Sequence, residues 1–283
     1  MTHAPVVPPG AAMCHDPRAW RGESVKSAAI GAVSMLAWLG AAAGAAAADI
    51  RVFCTGAPAA TAKAVAEDFA KASGHHFSFA IGQPAAIQER LAAGEKADVV
   101  IVPAPVAAKL ASSGAMRGDS VVALARVGIG VVVRAGAPLP DISDAAAIRR
   151  LLIKAHTIVY PDPTSGGGSA GRAIAQMIER MGLAAVVRPK LTRTSAIGGG
   201  VALVAAGKAE VGFFNISEIL PVPGVTLAGP LPPPLQSYIV FAAAIPLSNT
   251  TPEPAAAFIA ALATPAAQEA WRNSGMEPVA PRP

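Results

Sequence analysis

Hydrophobic positions from residue 49 onward fall into short apolar runs alternating with stretches of helical spacing. Ile50-Arg51-Val52-Phe53-Cys54 reads as a strand and Thr55-Gly56-Ala57-Pro58 breaks it. Ala59 to Ala72 then carries Val65 and Phe69 at i, i+4, as a helix does, up to Gly74. A second strand, His75 to Ile81, leads through Gly82-Gln83-Pro84 into a helix past Ile87 and Leu91 to Gly94, and Ala97 to Val102 forms a third strand stopped by Pro103 and Pro105. Such strand–helix repeats predict parallel sheets with right-handed crossovers.

The second half continues the pattern. A long apolar strand runs from Val121 to Arg134, and a proline-marked turn leads to a helix over Asp144 to Ile153, capped by Asp141 or Ser143. Thr157 to Tyr160 is a strand, Ala173 to Met181 a helix, and Lys190 to Thr194 a short strand. Val201 to Gly207 is a helix and Glu210 to Asn215 a strand. Pro221 to Pro234 reads as a connection, Leu235 to Ile245 as a returning strand, and Ala255 to Leu262 and Pro265 to Asn273 as closing helices.

Between strand and helix in this half stands Asp162-Pro163-Thr164-Ser165-Gly166-Gly167-Gly168-Ser169-Ala170-Gly171-Arg172. Glycines let a backbone approach a ligand closely, and a helix start offers unpaired N–H groups with a partial positive charge. One reading is a cradle for an oxyanion or carboxylate. The other is a flexible loop with an ordinary serine cap. Ser195-Ala196-Ile197-Gly198-Gly199-Gly200 repeats the theme, and Asn215 ends a strand in the same region. Neither glycine run matches a dinucleotide or P-loop spacing. Ligands of parallel sheets bind beyond the carboxyl ends of the strands, which adds Thr55, Gly56, Gly82 and Gln83 to the candidate set.

Composition narrows the function. Aromatic residues are 5% and charged residues 14% of the 283-residue chain, so the core is expected from Ala, Val, Ile and Leu. Net charge is +5, with the basic residues scattered, which leaves no nucleic-acid surface. Lys26 and the apolar run Ala28 to Ala48 have the form of a secretory signal, cleaved before Asp49; an uncleaved anchor is the competing reading. Residues 1 to 25 are a proline-rich preface, consistent with translation starting at Val25. Loss of residues 1–48 removes three basic and two acidic residues and leaves +4. Cys54 is then the single cysteine, and with His75 and His76 adjacent in a strand no metal site is expected. Glu218, following the Asn215 strand, either reaches the cleft or is a solvated loop carboxylate, the second being preferred, and Tyr160 and Tyr238 are read as packed tyrosines.

The order of parts, with Asp49-Ile50-Arg51-Val52-Phe53, Ile87-Gln88-Glu89-Arg90-Leu91-Ala92-Ala93-Gly94-Glu95-Lys96-Ala97-Asp98, Gly207-Lys208-Ala209-Glu210-Val211-Gly212 and the closing Pro265 to Trp271, resembles the periplasmic solute-binding proteins of the molybdate-binding type. The resemblance implies an α/β fold of two lobes joined by two crossover hinge strands, lobe I being 49–125 plus 238–283 and lobe II 126–237. It implies a monomer that hands a small anion to a membrane ABC permease, with no cofactor. Ligand contacts are expected from Thr55, Gly56, Gly82, Gln83, Ser165, Gly166, Gly167, Gly168, Ser169, Gly198, Gly199 and Asn215. Arg172 is either a bidentate carboxylate partner or an exposed helix arginine.

The turns carry fewer hydroxyls than molybdate binders use, which implies a different or larger ligand. The Ser-Gly-Gly turn with Ile216-Ser217-Glu218-Ile219 is similar to a subset of relatives, the periplasmic aconitate isomerases. That subset would make the protein an enzyme of an allylic proton shift, with no base nominated by the sequence. A secreted relative without a transported ligand is a third reading.

Overall fold

The computed structural model describes residues 47–163, 168–194, 199–250 and 252–279. Up to residue 46, the expected leader and preface lie outside the described residues.

The first sheet begins with β1 (Asp49–Cys54), α1 (Gly56–Ser73), β2 (His76–Ile81), α2 (Pro84–Ala92), β3 (Val99–Pro103) and α3 (Ala104–Ser112). β4 (Val122–Val127) closes this part, and the chain passes to a second sheet with β5 (Ile129–Arg134). There follow α4 (Ala145–Lys154), β6 (Ile158–Pro161), α5 (Gly168–Arg180), α6 (Ala184–Val187), β7 (Leu191–Thr194), α7 (Gly199–Ala205), β8 (Val211–Asn215), α8 (Ile216–Ile219) and β9 (Val225–Pro230). The chain then returns with β10 (Ile239–Ala244), α9 (Pro252–Ala261), α10 (Pro265–Asn273) and β11 (Glu277–Pro278).

The strand orders are β11-β4-β10-β3-β1-β2 and β7-β6-β8-β5-β9. Both sheets are mixed, where sequence pattern predicts parallel ones. β1 runs parallel to β2 and β3, and β6 parallel to β7 and β8, whereas β10 is antiparallel to β3 and β4, and β5 antiparallel to β8 and β9. β5 and β10 are the strands entered by crossing from one sheet to the other, and the short β11 adds a further antiparallel pair with β4. Each parallel set keeps its strand ends on one edge.

Several boundaries correct the sequence reading. The expected break at Gly56-Ala57-Pro58 is the first turn of α1, and Pro105 likewise sits in the first turn of α3. Proline lacks only an N–H that is unpaired there anyway. The apolar run Val121 to Arg134 is two strands in different sheets, parted at Gly128. The proline-rich connection contains β9. Asp144 itself caps α4, its Oδ1 accepting from Ala147 N at 2.7 Å.

Small aliphatic side chains fill the sheets: Val99 to Val102, Val131, Val132, Ile158 and Val159 are all buried. Phe69, Phe77 and Phe258 pack where α1, β2 and α9 meet, with ring centroids 4.6–6.0 Å apart. Trp271 is buried in α10 and donates from Nε1 to Leu262 O at 3.0 Å. Tyr160 is buried as expected, but Tyr238 is exposed, with the Arg126 guanidinium 4.3 Å over its ring.

At the passage between sheets the Gln236 side chain imitates a strand partner. Its Oε1 accepts from Ile129 N at 2.8 Å and its Nε2 donates to Ile129 O at 3.0 Å, tying the returning chain to the outgoing one. Ahead of β1, Ala48 donates to His75 Nδ1 at 3.1 Å and accepts from His76 N at 2.9 Å. A mature chain that began at Asp49 would forgo both bonds.

Candidate functional site

The carboxyl ends of the parallel strands from both sheets face one cleft, with about 380 Å³ of space not filled by protein atoms. From the first sheet come Thr55 and Gly56 after β1, Gln83 after β2 and Pro103 ending β3. The second sheet supplies Pro161 ending β6, Ser169 at the start of α5, Asn215 ending β8, and Glu218. Ile239 and Phe241 of β10 line it between the two.

Three helices open onto this space. α1, of 18 residues, presents Gly56 and Ala57. α2, of nine, presents Pro84. α5, of 13, presents Gly168, Ser169 and Ala170. The positive ends of three peptide dipoles thus converge from both sheets on one volume, an environment suited to an anion, although Pro84 itself offers no N–H.

Local sequence explains the convergence. Gly168 has φ +70, and a methyl group built on it would stand 3.3 Å from Gln83 Oε1, so the two turns meet across the cleft at their narrowest side chains. A methyl group on Gly171 would lie 2.3 Å from Pro161 O, so only glycine lets α5 start this close to the end of β6. Thr55 has part of its hydrogen-bonding capacity spoken for, since its N–H and its hydroxyl both donate to Ile101 O, at 3.0 and 3.3 Å.

Of the residues expected from sequence, Thr55, Gly56, Gln83, Gly168, Ser169 and Asn215 line the cleft together. Gly82 adjoins Gln83, Gly199 begins α7, and Arg172 is exposed on α5; none of the three is part of the lining. Ser165, Gly166, Gly167 and Gly198 lie outside the described residues.

Glu218 is a correction to the sequence reading. It is half-buried and lines the cleft instead of standing in solvent. Asn215 Nδ2 donates to its Oε2 at 3.2 Å. Burial pushes the carboxyl up to about 7, against hydrogen bonds from the side chain and backbone of Asn215 that favour the ionised form. Asn215 itself is buried, and its Oδ1 has no hydrogen-bond partner among the described residues. A buried acceptor left unpaired costs free energy until a donor arrives. One sequence signal pointed here: the one-turn helix after β8 places residues three apart on one side.

Two other buried reactive groups stand apart from this chemistry. Burial pushes the Cys54 thiol far up, which keeps it protonated inside the sheet. His75 accepts the Ala48 N–H and stacks 5.9 Å from Phe69. Among the described residues no group of three or more His, Cys, Asp or Glu is placed to hold a metal, and no helix is long and apolar enough to cross a membrane.

Two mixed sheets exchanging strands at two passages, with a cleft at their carboxyl edges, make up the two-lobe α/β fold of periplasmic binding proteins. The chain belongs to the bacterial extracellular solute-binding proteins, whose family pattern it matches over residues 50–277. An aconitate isomerase from a Pseudomonas species is 32% identical over 239 residues, covering 83% of this chain and 89% of that protein. Among solved structures, the periplasmic molybdate-binding protein of Azotobacter vinelandii superposes with a TM-score of 0.70 at 20% identity, covering 82% of this chain and all of that one. The sulfate-binding protein of Mycobacterium tuberculosis gives 0.68 at 21% identity, covering 82% and 87%.

Proposed function

We propose that this solute-binding protein captures a small polycarboxylate of the aconitate class in its interlobe cleft and isomerises it there by an allylic proton shift. The observation that carries this reading is the convergence of three helix N-termini on a volume in which, among the described residues, the lining holds one ionisable side chain, Glu218. Neutral N–H donors suit carboxylates as well as inorganic oxyanions. A carboxyl group in the lining, by contrast, repels a dianion when ionised and serves proton transfer when it is not fixed in one state. Similarity to the aconitate isomerase supports the same choice.

The family is extracellular, and we infer export to the periplasm through the leader that precedes Ala47. The lobes, 49–125 plus 238–283 and 126–237, would close about the passages at Gly128 and around Gln236. The second reading is capture of an oxyanion for a membrane ABC permease, favoured by likeness to molybdate- and sulfate-binding folds.

Thermal unfolding separates the two, since a ligand that binds only the folded state raises the midpoint. Upshifts with cis- and trans-aconitate, together with their interconversion in the absence of any transporter, are the expected result. An upshift with molybdate, tungstate or sulfate and none with the aconitates would replace this reading by the second.

A further inference from the structure

We propose that Glu218 is the catalytic residue that moves the proton, and that Asn215 is its positioning partner. The inference rests on the isomerase reading above and deepens it.

Geometry singles the carboxyl out. Gly56 and Ala57 of α1, Gln83 ahead of α2, and Ile239 and Phe241 of β10 share the cleft with Glu218, and none of them titrates. The charged side chains of α1 begin at Lys63, two turns beyond its cleft end, and Arg134 lies at the end of β5 remote from Asn215. Among the described residues Glu218 therefore has no cation beside it in the lining, and it accepts a hydrogen bond from the Asn215 amide. That amide is aimed by its own chemistry: Nδ2 donates to the carboxylate, so Oδ1 is turned away and left unpaired in a buried place. A protonated carboxylic acid or hydroxyl group of a ligand would satisfy it.

The chemical step balances within this set. The Glu218 carboxylate takes a proton from the methylene carbon of the substrate, and the pair from the broken C–H bond becomes the new C=C bond. The old C=C pair moves to the distal carbon, where charge spreads onto the adjoining carboxylate. That carbon then takes a proton from the Glu218 carboxyl, forming a C–H bond and restoring the base. No oxidant or reductant is consumed. Oxygens that gain charge would be stabilised by the positive N-terminal ends of α1, α2 and α5 that open onto the cleft.

The test compares wild type with Glu218→Gln and Asn215→Ala, using aconitate interconversion, deuterium uptake at the allylic carbons in D₂O, and the thermal upshift with trans-aconitate. Glu218→Gln is expected to keep the upshift and to lose both interconversion and deuterium uptake by about 100-fold or more. In wild type kcat/KM should rise with pH as Glu218 loses its proton. Asn215→Ala, which removes a hydrogen bond favouring the ionised form, should move that rise to higher pH, a displacement that a structural role alone would not produce. Interconversion by Glu218→Gln within tenfold of an active wild type would overturn the assignment and leave the isomerase reading standing. A wild type that binds aconitate but neither interconverts it nor exchanges its protons would overturn both.

Discussion

The two walls of the cleft are built alike and equipped differently. Each consists of strand ends followed by helix starts, yet the first wall, at Thr55, Gly56, Gln83 and Pro103, offers only neutral groups. The second wall, at Ser169, Asn215 and Glu218, adds one ionisable carboxyl and one buried acceptor without a partner. Holding an anion requires no more than the first. Moving a proton requires the second, so on the proposed function capture and chemistry would be divided between the two walls.

The largest way to break this division is to dislodge a helix start. Gly171→Val should unseat α5, because the first side-chain carbon would fall 2.3 Å from Pro161 O. Overpacking typically costs about 1–3 kcal/mol, and a backbone oxygen that close places this substitution at the upper end. A lowered denaturation midpoint together with loss of the ligand-induced upshift is expected; unaltered values for both would contradict the close approach of α5 to β6.

Glu218 sharpens the comparison through pH. Its folded-state value of about 7 lies above the ordinary ~4.3 for glutamate, so between these values the folded protein holds more protons than the unfolded one and stability falls as pH rises. The cost is absent below about pH 4, grows through the window and is complete above about pH 8, at no more than about 4 kcal/mol. Glu218→Gln should therefore be more stable than wild type at pH 8 and nearly equal to it at pH 4.5, as denaturant titrations at both values would reveal. Equal stabilities at pH 8 would mean that the carboxyl is not desolvated.

First-wall changes should touch binding alone. Gln83→Ala is expected to weaken aconitate binding about fivefold to tenfold, the loss of roughly one hydrogen bond of 1–1.5 kcal/mol, while the pH at which kcat/KM rises stays where it was. A displaced pH profile would mean that the walls do not divide the work. The smallest effect belongs to Asp144→Ala, remote from the cleft. It removes the cap on Ala147 N, at a cost of about 1 kcal/mol, and should leave ligand upshift and rate unchanged.

Much of this was legible in the chain itself. Runs such as Val99 to Val102 and Val211 to Phe214 announce buried strands, and the rule that ligands gather at their carboxyl ends brought Thr55, Gln83 and Asn215 into one set. Three features were not legible, each for a physical reason. Pro58 and Pro105 look like breaks because proline's missing N–H matters only after the first turn of a helix. The change of sheet at Gly128 is hidden in the local pattern because β4 and β5 read as one apolar run, although the family resemblance places the lobe boundary close by, at 125/126. Glu218 reads as solvated because a lone carboxylate after a strand is usually hydrated, and its half-buried place in the cleft exists only once the fold brings both sheets together.

The central claim, that this cleft performs chemistry as well as capture, is tested most directly by incubating the wild-type protein with pure trans-aconitate and, separately, with pure cis-aconitate while following both species. The account predicts that the two mixtures converge on one ratio at a rate proportional to protein concentration. Aconitate that raises the unfolding midpoint but stays unchanged in both mixtures would contradict it and leave a receptor.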